Sequence, residues 1–208
     1  MYRAMVGIGL ICAVIIVSVF QFTLPVISQN RLELLQESLY RIFPDATQFA
    51  RYQYTPEGRF IRASDERSAE VVYAMYDNEN KLLGVVLRAK AMGYQDLIEM
   101  LYGYQPQRQM ISGYQILDSR ETPGLGARIE TDPVFQKNFH ALDVTLNANG
   151  DALQHPIEIV KPGGKTQAWQ IDTLTGATVS SRTVANMVAD SALLWIPRIQ
   201  QRLQDFEP

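Results

Sequence analysis

A chain of 208 residues with a formal net charge of −3 and a single cysteine excludes several classes of protein at once. There is no basic excess with which to hold nucleic acid. Cys12 lies alone inside an apolar run, so the polar part of the chain has no disulfide framework, zinc site or thiol chemistry. The length suits one domain plus an appendage.

Arg3 is the only charged side chain before Arg31. Residues 4–20 are apolar apart from Ser18 and the small glycines, and Gln21-Phe22-Thr23-Leu24 carries the run to Pro25. About 20 such residues cross a bilayer core. Residues 1–25 are therefore expected to form a transmembrane anchor, and residues 26–208 a folded domain. A cleaved signal peptide is the competing reading. The run is too long for the apolar core of one, and no small-x-small cleavage site follows it. Arg3 and the α-amino group before the span nearly balance Arg31 and Arg41 after it, so charge does not orient the span.

Leu32, Leu35, Leu39 and Ile42 recur at helical spacing up to Pro44, predicting a short amphipathic helix that leaves the membrane. Residues 53–63 read as strand and turn around Pro56-Glu57-Gly58. Glu70 to Tyr76 and Lys81 to Ala89 read as a hairpin joined by Asp77-Asn78-Glu79-Asn80. Tyr73, Met75, Val85 and Leu87 are expected to face one core. Gly93-Tyr94 opens a mixed stretch ending at Tyr104, and Gln109 to Leu117 is a further strand. Phe135 and Phe139 predict a short helix after Pro133. Val144 to Leu146, Ile157 to Val160 and Trp169 to Ile171 read as short strands, with a turn at Asn147-Ala148-Asn149-Gly150. Beyond Thr178, the residues Val184, Met187, Val188, Ala192, Trp195 and Ile199 form one stripe of a long helix, which Pro197 should kink or break. Ile199, Leu203 and Phe206 form a short tail expected to pack on the sheet. The fold class is α+β: one transmembrane helix followed by a twisted, antiparallel-rich sheet with flanking helices.

Most familiar chemistries find no footing. Pro162-Gly163-Gly164-Lys165-Thr166 has the end of a phosphate-binding loop, but Ile159 stands where its first glycine is required. His140 and His155 have no partner at ligand spacing, so no metal centre is expected. There is no nucleophile elbow and no dinucleotide fingerprint after a strand.

Two stretches remain. The first is Asp172-Thr173-Leu174-Thr175-Gly176-Ala177-Thr178-Val179-Ser180-Ser181, at the start of the last helix. The first N–H groups of a helix lack internal partners and sit at its positive end, which suits an anion. Thr178, Ser180 and Ser181 offer hydroxyl donors, and Arg182 a full charge. A helix end contributes only about 0.3–1 kcal/mol, up to about 2 when partly buried. That is too weak to retain a cofactor permanently. A covalent bond would be needed, and Thr178 presents a nucleophile. The second stretch is Glu121-Thr122-Pro123-Gly124-Leu125-Gly126. Pro123 fixes φ, and the glycines allow close backbone approach. Such a loop can lie against a flat ring, with Leu125 as the apolar contact and Glu121 or Thr122 bonded to its polar edge.

These residues carry a resemblance. Asp172, Thr175, Gly176, Ala177 and Thr178 match the acceptor motif of proteins flavinylated by the FAD:protein FMN transferase, in which the last Thr bears FMN through a phosphoester. The hexapeptide Glu121–Gly126 resembles the flavin-cradling loop of the same family. With one N-terminal span and this length, the chain is similar to G subunits of Rnf-type electron-transport complexes, the sister family of the longer C subunits of the sodium-pumping NADH:quinone reductase. The resemblance implies covalent FMN on Thr178, with Thr175, Gly176, Ala177, Ser180 and Ser181 around it and Glu121 to Gly126 against the ring. Asp172 would serve recognition by the transferase, and also cap its turn. The Gly163-Gly164 turn would line the pocket, and Lys165 would approach the phosphate. The implied setting is the bacterial inner membrane, with the domain facing the periplasm. The implied partners are the transferase during maturation and the other membrane subunits of a complex coupling ferredoxin:NAD electron transfer to ion movement. Two alternatives stay open: a flavin subunit of another system (the quinone reductase or a periplasmic reductase), and a cofactor-free single-span assembly protein.

Overall fold

The computed structural model describes residues 2–63 and 71–207. Glu70, expected to start a hairpin strand, lies outside them. The chain divides into two units, Met1–Glu37 and Ser38–Pro208.

The first unit belongs to α1, a 41-residue helix from Tyr2 to Ile42. The anchor and the amphipathic segment expected after it are thus one element, passing through Pro25. Proline removes one N–H and crowds the preceding turn. Beside it, the Thr23 hydroxyl donates to the Val19 carbonyl at 2.9 Å, and the Ser28 hydroxyl to the Pro25 carbonyl at 2.8 Å. Hydroxyls of this kind commonly accompany proline in apolar helices. The segment Met5–Ile42 is long and apolar enough to cross a membrane.

In the second unit the described strands are β1 (Gln48–Tyr54), β2 (Phe60–Arg62), β3 (Val71–Tyr76), β4 (Leu82–Met92), β5 (Leu97–Gln105), β6 (Met110–Asp118) and β7 (Leu142–Asp143). They form an antiparallel sheet in the order β2-β1-β3-β4-β5-β6-β7. The turns at Pro56–Gly58 and Asp77–Asn80 join hairpins as expected. The Asp77 carboxylate accepts from the N–H groups of Glu79 and Lys81, both at 2.9 Å, which closes the second turn. Short helices α2 (Arg128–Thr131) and α3 (Pro133–Lys137) follow β6. Asp132 caps α3 by accepting from Val134 and Phe135. Strands β8 (Glu158–Val160) and β9 (Gln170–Asp172) pair in parallel as a separate ribbon. Helix α4 spans Thr178–Gln201, and a 3-10 turn covers Leu203–Phe206. Val144 to Leu146, expected as a strand, contributes only an isolated bridge from Leu146 to Leu153.

Helix α4 lies on one face of the sheet. Val184, Val188, Ala192, Ile196 and Ile199 are buried there with Val72, Ala74, Val85, Leu87, Met100 and Tyr102. Pro197 does not end the helix, which runs on to Gln201 with the proline buried in the core. Phe206 closes the far end: the Tyr76 hydroxyl donates to its carbonyl at 2.7 Å, and Asp205 accepts from the Phe60 N–H at 2.9 Å.

The second face of the sheet is also covered, which corrects one expectation. Tyr73 pairs with Val86, and Ala74 with Val85. Tyr73 and Met75 therefore face away from Val85 and Leu87, because successive side chains in a strand alternate. Both faces are buried. Leu39, Ile42 and Phe43 are all under 9% exposed. A Cβ on Gly84 would overlap the Phe43 ring, and one on Gly103 would overlap both Ile42 and Phe43. The two glycines let this segment lie directly against the strands.

Burial holds the phenols of Tyr76, Tyr102, Tyr104 and Tyr114 well above the ordinary tyrosine range. For Tyr76 the hydrogen bond with Tyr52 adds to this, and for Tyr114 the charges of Asp132 and Glu130 do. A phenol whose folded pKa is raised contributes stability that is complete below the unfolded value of about 10 and lost as pH climbs beyond it. In an alkaline titration these four of the ten tyrosines should stay protonated as pH passes about 10. They should ionise only together with unfolding, read as tyrosinate absorbance against circular dichroism. Simple ionisation of all ten near the ordinary value, with the fold retained, contradicts this.

Candidate functional site

The turn after β9 is pinned from several sides. The Asp172 carboxylate accepts from the backbone N–H groups of Gly164 and Lys165, each at 2.9 Å, so it caps the Gly163-Gly164 turn. The Asp172 N–H donates to Asn138 Oδ1 at 3.1 Å. Thr173 bonds the Val160 carbonyl through both its N–H and its hydroxyl, each at 3.0 Å. Arg128 donates to the Thr175 carbonyl at 3.1 Å. Gly176 then turns the chain at φ +81°, a conformation side-chain-bearing residues rarely adopt.

At the end of this turn stands Thr178, the first residue of α4, with its side chain exposed. The N-cap is Ala177, and no side chain caps the helix. The first N–H groups of α4 are thus left without a side-chain acceptor at the positive end of a 24-residue helix. Among the described residues the Thr178 hydroxyl has one weak partner, the Leu174 carbonyl at 3.4 Å.

The other hydroxyls are arranged differently from expectation. Ser180 and Ser181 are 2% and 0% exposed and do not point toward an incoming anion. Ser181 Oγ accepts from the Leu174 N–H at 3.0 Å and donates to the Ala177 carbonyl at 2.8 Å, closing the turn before α4 on the helix. Ser180 donates to Glu121 Oε2. Replacing Ser181 by alanine leaves the buried Leu174 N–H unpaired, which costs about 1–3 kcal/mol. Urea unfolding followed by tryptophan fluorescence should show that loss, whereas an unchanged midpoint would mean the turn does not depend on this hydroxyl.

Glu121 is also turned inward. Its Oε1 accepts from the N–H groups of Tyr94 and Gln95 at 2.8 and 3.0 Å, and its Oε2 from Ser180. Both oxygens are engaged and the residue is 5% exposed, so the carboxylate is not free for the edge of a ring. Gly126 packs against this contact: a Cβ there would lie 2.5 Å from Glu121 Oε2 and 2.7 Å from Ser180 Oγ. Thr122 accepts backbone bonds from Leu125 and Ala127, making the hexapeptide a compact turn. Pro123, Gly124 and Leu125 form its exposed tip, with Leu125 52% exposed. Leu125 Cδ2 reaches within 3.9 Å of the position a Cβ on Gly176 would take. The two motifs, about fifty residues apart in sequence, therefore meet.

Two further parts of this region lie outside the expected site residues. The Gly93–Gln95 loop joins it through Glu121, with Tyr94 70% exposed. A cleft of about 490 Å³ runs between Arg88–Met92 of β4 and one side of α4, where Thr183, Asn186 and Asp190 line it. The Thr183 hydroxyl bonds the Met92 carbonyl at 3.3 Å. Thr183, Asn186 and Asp190 form a polar stripe readable from the sequence, but nothing local says which strand faces it. Lys165, expected near a phosphate, instead donates to the Asn138 carbonyl at 3.1 Å. Burial pulls its ammonium below the ordinary lysine range, and nearby Asp172 works against that shift. Among the described residues no cluster of His, Cys, Asp and Glu suits a metal ion.

The site fits a flavin phosphate on its own terms: an exposed nucleophile, an uncapped helix end, a glycine-dependent turn, and apolar Leu125 and Val179 facing solvent beside it. Comparison with known proteins identifies the domain as FMN-binding. The FMN-binding domain family matches residues 93–192, which include the Gly93 loop, the hexapeptide and the Thr178 turn. The chain is 30% identical over 164 residues to the G subunit of the ion-translocating oxidoreductase complex of Methanosarcina acetivorans, covering 76% of each. It is 27% identical over 181 residues to the G subunit of the proton-translocating ferredoxin:NAD(+) oxidoreductase complex of Clostridium ljungdahlii, covering 87% of this chain and 82% of that one. The crystal structure of Shewanella oneidensis NqrC superposes with a TM-score of 0.56 at 19% identity, over 80% of this chain and 84% of that one, which shows the shared fold. With an FMN-binding domain behind one long apolar helix, the chain belongs to the family of Rnf-type G subunits of ion-translocating oxidoreductase complexes.

Proposed function

We propose that Thr178 carries FMN through a phosphoester to its side-chain oxygen, and that the protein relays electrons between neighbouring redox centres of a Rnf-like complex coupling ferredoxin:NAD electron transfer to ion movement. The observation that carries this reading is the uncapped start of α4, where Thr178 is exposed while Ser180 and Ser181 are buried and already bonded. Attached FMN supplies one- and two-electron chemistry that no side chain of this protein has. The chain's own residues hold and orient. The open N–H groups of α4 receive the phosphate oxygens. Gly176 gives the turn its shape, Ala177 leaves the helix end unobstructed, and the Thr175 carbonyl fastens the turn to Arg128. Leu125 offers an apolar contact from the Pro123-Gly124 tip, while Thr122, Gly126 and Glu121 fix that loop from behind.

In this reading α1 anchors the protein in the bacterial inner membrane, and the folded domain faces the periplasm. The anchor is residues 1–25 and the domain residues 26–208, α1 running unbroken from one into the other. A domain so placed cannot rebind FMN from the cytosol, which makes a covalent link useful. A flavin transferase installs the group, and the electron donors and acceptors are the other membrane subunits. The test is an intact-mass measurement on protein from membranes of a host with an active transferase. The expected mass is that of the chain plus FMN less one water, with flavin fluorescence in the denatured band. A bare chain from such membranes sinks the proposal.

A further inference from the structure

Glu121 is a buried carboxylate with three hydrogen-bond donors and, among the described residues, no cation among its partners. Its donors come from two separate segments: the Tyr94 and Gln95 N–H groups, and the first turn of α4 through Ser180. Glycines wall it on both sides. A Cβ on Gly93 would overlap Oε1, and a Cβ on Gly126 would lie 2.5 Å from Oε2. A shorter or apolar side chain would take from the two N–H groups the acceptor they share. The negative charge rests at the positive end of α4, which stabilises it. Ser180, its partner, is two residues beyond Thr178.

We propose that Glu121 is a positioning residue that locks the Gly93–Gln95 loop to the acceptor helix, and that its buried negative charge lowers the reduction potential of the flavin attached at Thr178. This rests on Thr178 being the flavin acceptor. Electron uptake adds negative charge to the ring, so a fixed anion nearby opposes it. In a partly buried site that opposition is much larger than in water.

Glu121→Gln separates the two roles. The amide oxygen can accept from Tyr94 and Gln95, and its NH2 can donate to Ser180 Oγ once the hydroxyl turns round. The tie survives and the charge is gone. Ser180→Ala does the reverse, keeping the charge and removing one donor that neutralises it.

The experiment uses the full-length protein co-produced with an active transferase. Flavin incorporation is read by intact mass and the midpoint potential by spectroelectrochemical titration. Amide exchange at Tyr94 and Gln95 is read in a flavin-free Thr178→Ala background. E121Q should keep wild-type incorporation and slow exchange while its midpoint moves positive. S180A should move it negative. E121A should speed exchange at Tyr94 and Gln95 about tenfold or more, the scale of one lost hydrogen bond to a charged group. An unchanged midpoint in E121Q, or shifts of the same sign in E121Q and S180A, overturns the charge effect. If E121Q takes up no flavin, the S180A shift decides: negative supports the inference, zero or positive overturns it. Slow exchange in E121A overturns the positioning role. Wild-type protein without the FMN mass refutes the acceptor reading instead, and the exchange measurement still tests the tie.

Discussion

Replacing Thr178 by alanine should remove the whole mass increment of the proposed flavin and leave the fold in place. The hydroxyl is exposed, and its only described hydrogen bond is a long one to the Leu174 carbonyl, at 3.4 Å. Alanine is the better helix former, so stability should change by less than about 1 kcal/mol. The effect on flavin should nevertheless be complete, because a helix end alone retains an anion with only about 0.3–2 kcal/mol. Thr175 is the control. It is also exposed and lies in the same turn, but it precedes Gly176 and is not in the helix. Thr175→Ala should keep the increment. Intact mass and in-gel fluorescence distinguish the two variants. An increment that persists in Thr178→Ala, or disappears only in Thr175→Ala, would place the bond on the other hydroxyl.

Gly126→Val should be the most damaging single change at the site that removes no functional group. The added Cβ would fall 2.5 Å from Glu121 Oε2, 2.7 Å from Ser180 Oγ and 2.9 Å from Glu121 Cβ. Those neighbours are themselves buried and cannot move aside cheaply. Overpacking costs about 1–3 kcal/mol. Separating Ser180 from the carboxylate leaves a buried polar group unsatisfied, for about 1–3 more. A loss of about 2 kcal/mol or greater should appear in urea unfolding followed by Trp169 and Trp195 fluorescence. Flavin incorporation at the proposed Thr178 site should fall with it, since the displaced residue sits on the first turn of α4. Wild-type stability with normal incorporation would mean the Glu121–Ser180 contact does not organise the site.

Much of this was legible in the sequence because local chemistry sets it. A run of about 20 apolar residues needs lipid or a partner wherever it is placed. Asp77–Asn80 and Pro56–Gly58 are turns by composition alone, and the stripe from Val184 to Ile199 commits one side of α4 to the core. Thr-Gly-Ala-Thr at a helix start and Glu-Thr-Pro-Gly-Leu-Gly upstream marked the two segments that the fold brings together. Tertiary structure alone settled the rest. Strand alternation says that Tyr73 and Val86 share a face, but only the segment Leu39–Phe43, seated over Gly84 and Gly103, shows that this face is buried too. Pro197 and Pro25 look like helix breaks, yet each lies inside a helix, and Pro197 is buried against the core. A carboxylate and two serines beside a nucleophile read equally well as ligands or as struts. Their hydrogen-bond partners lie up to 59 residues away, so the choice belongs to the folded chain and not to any local segment.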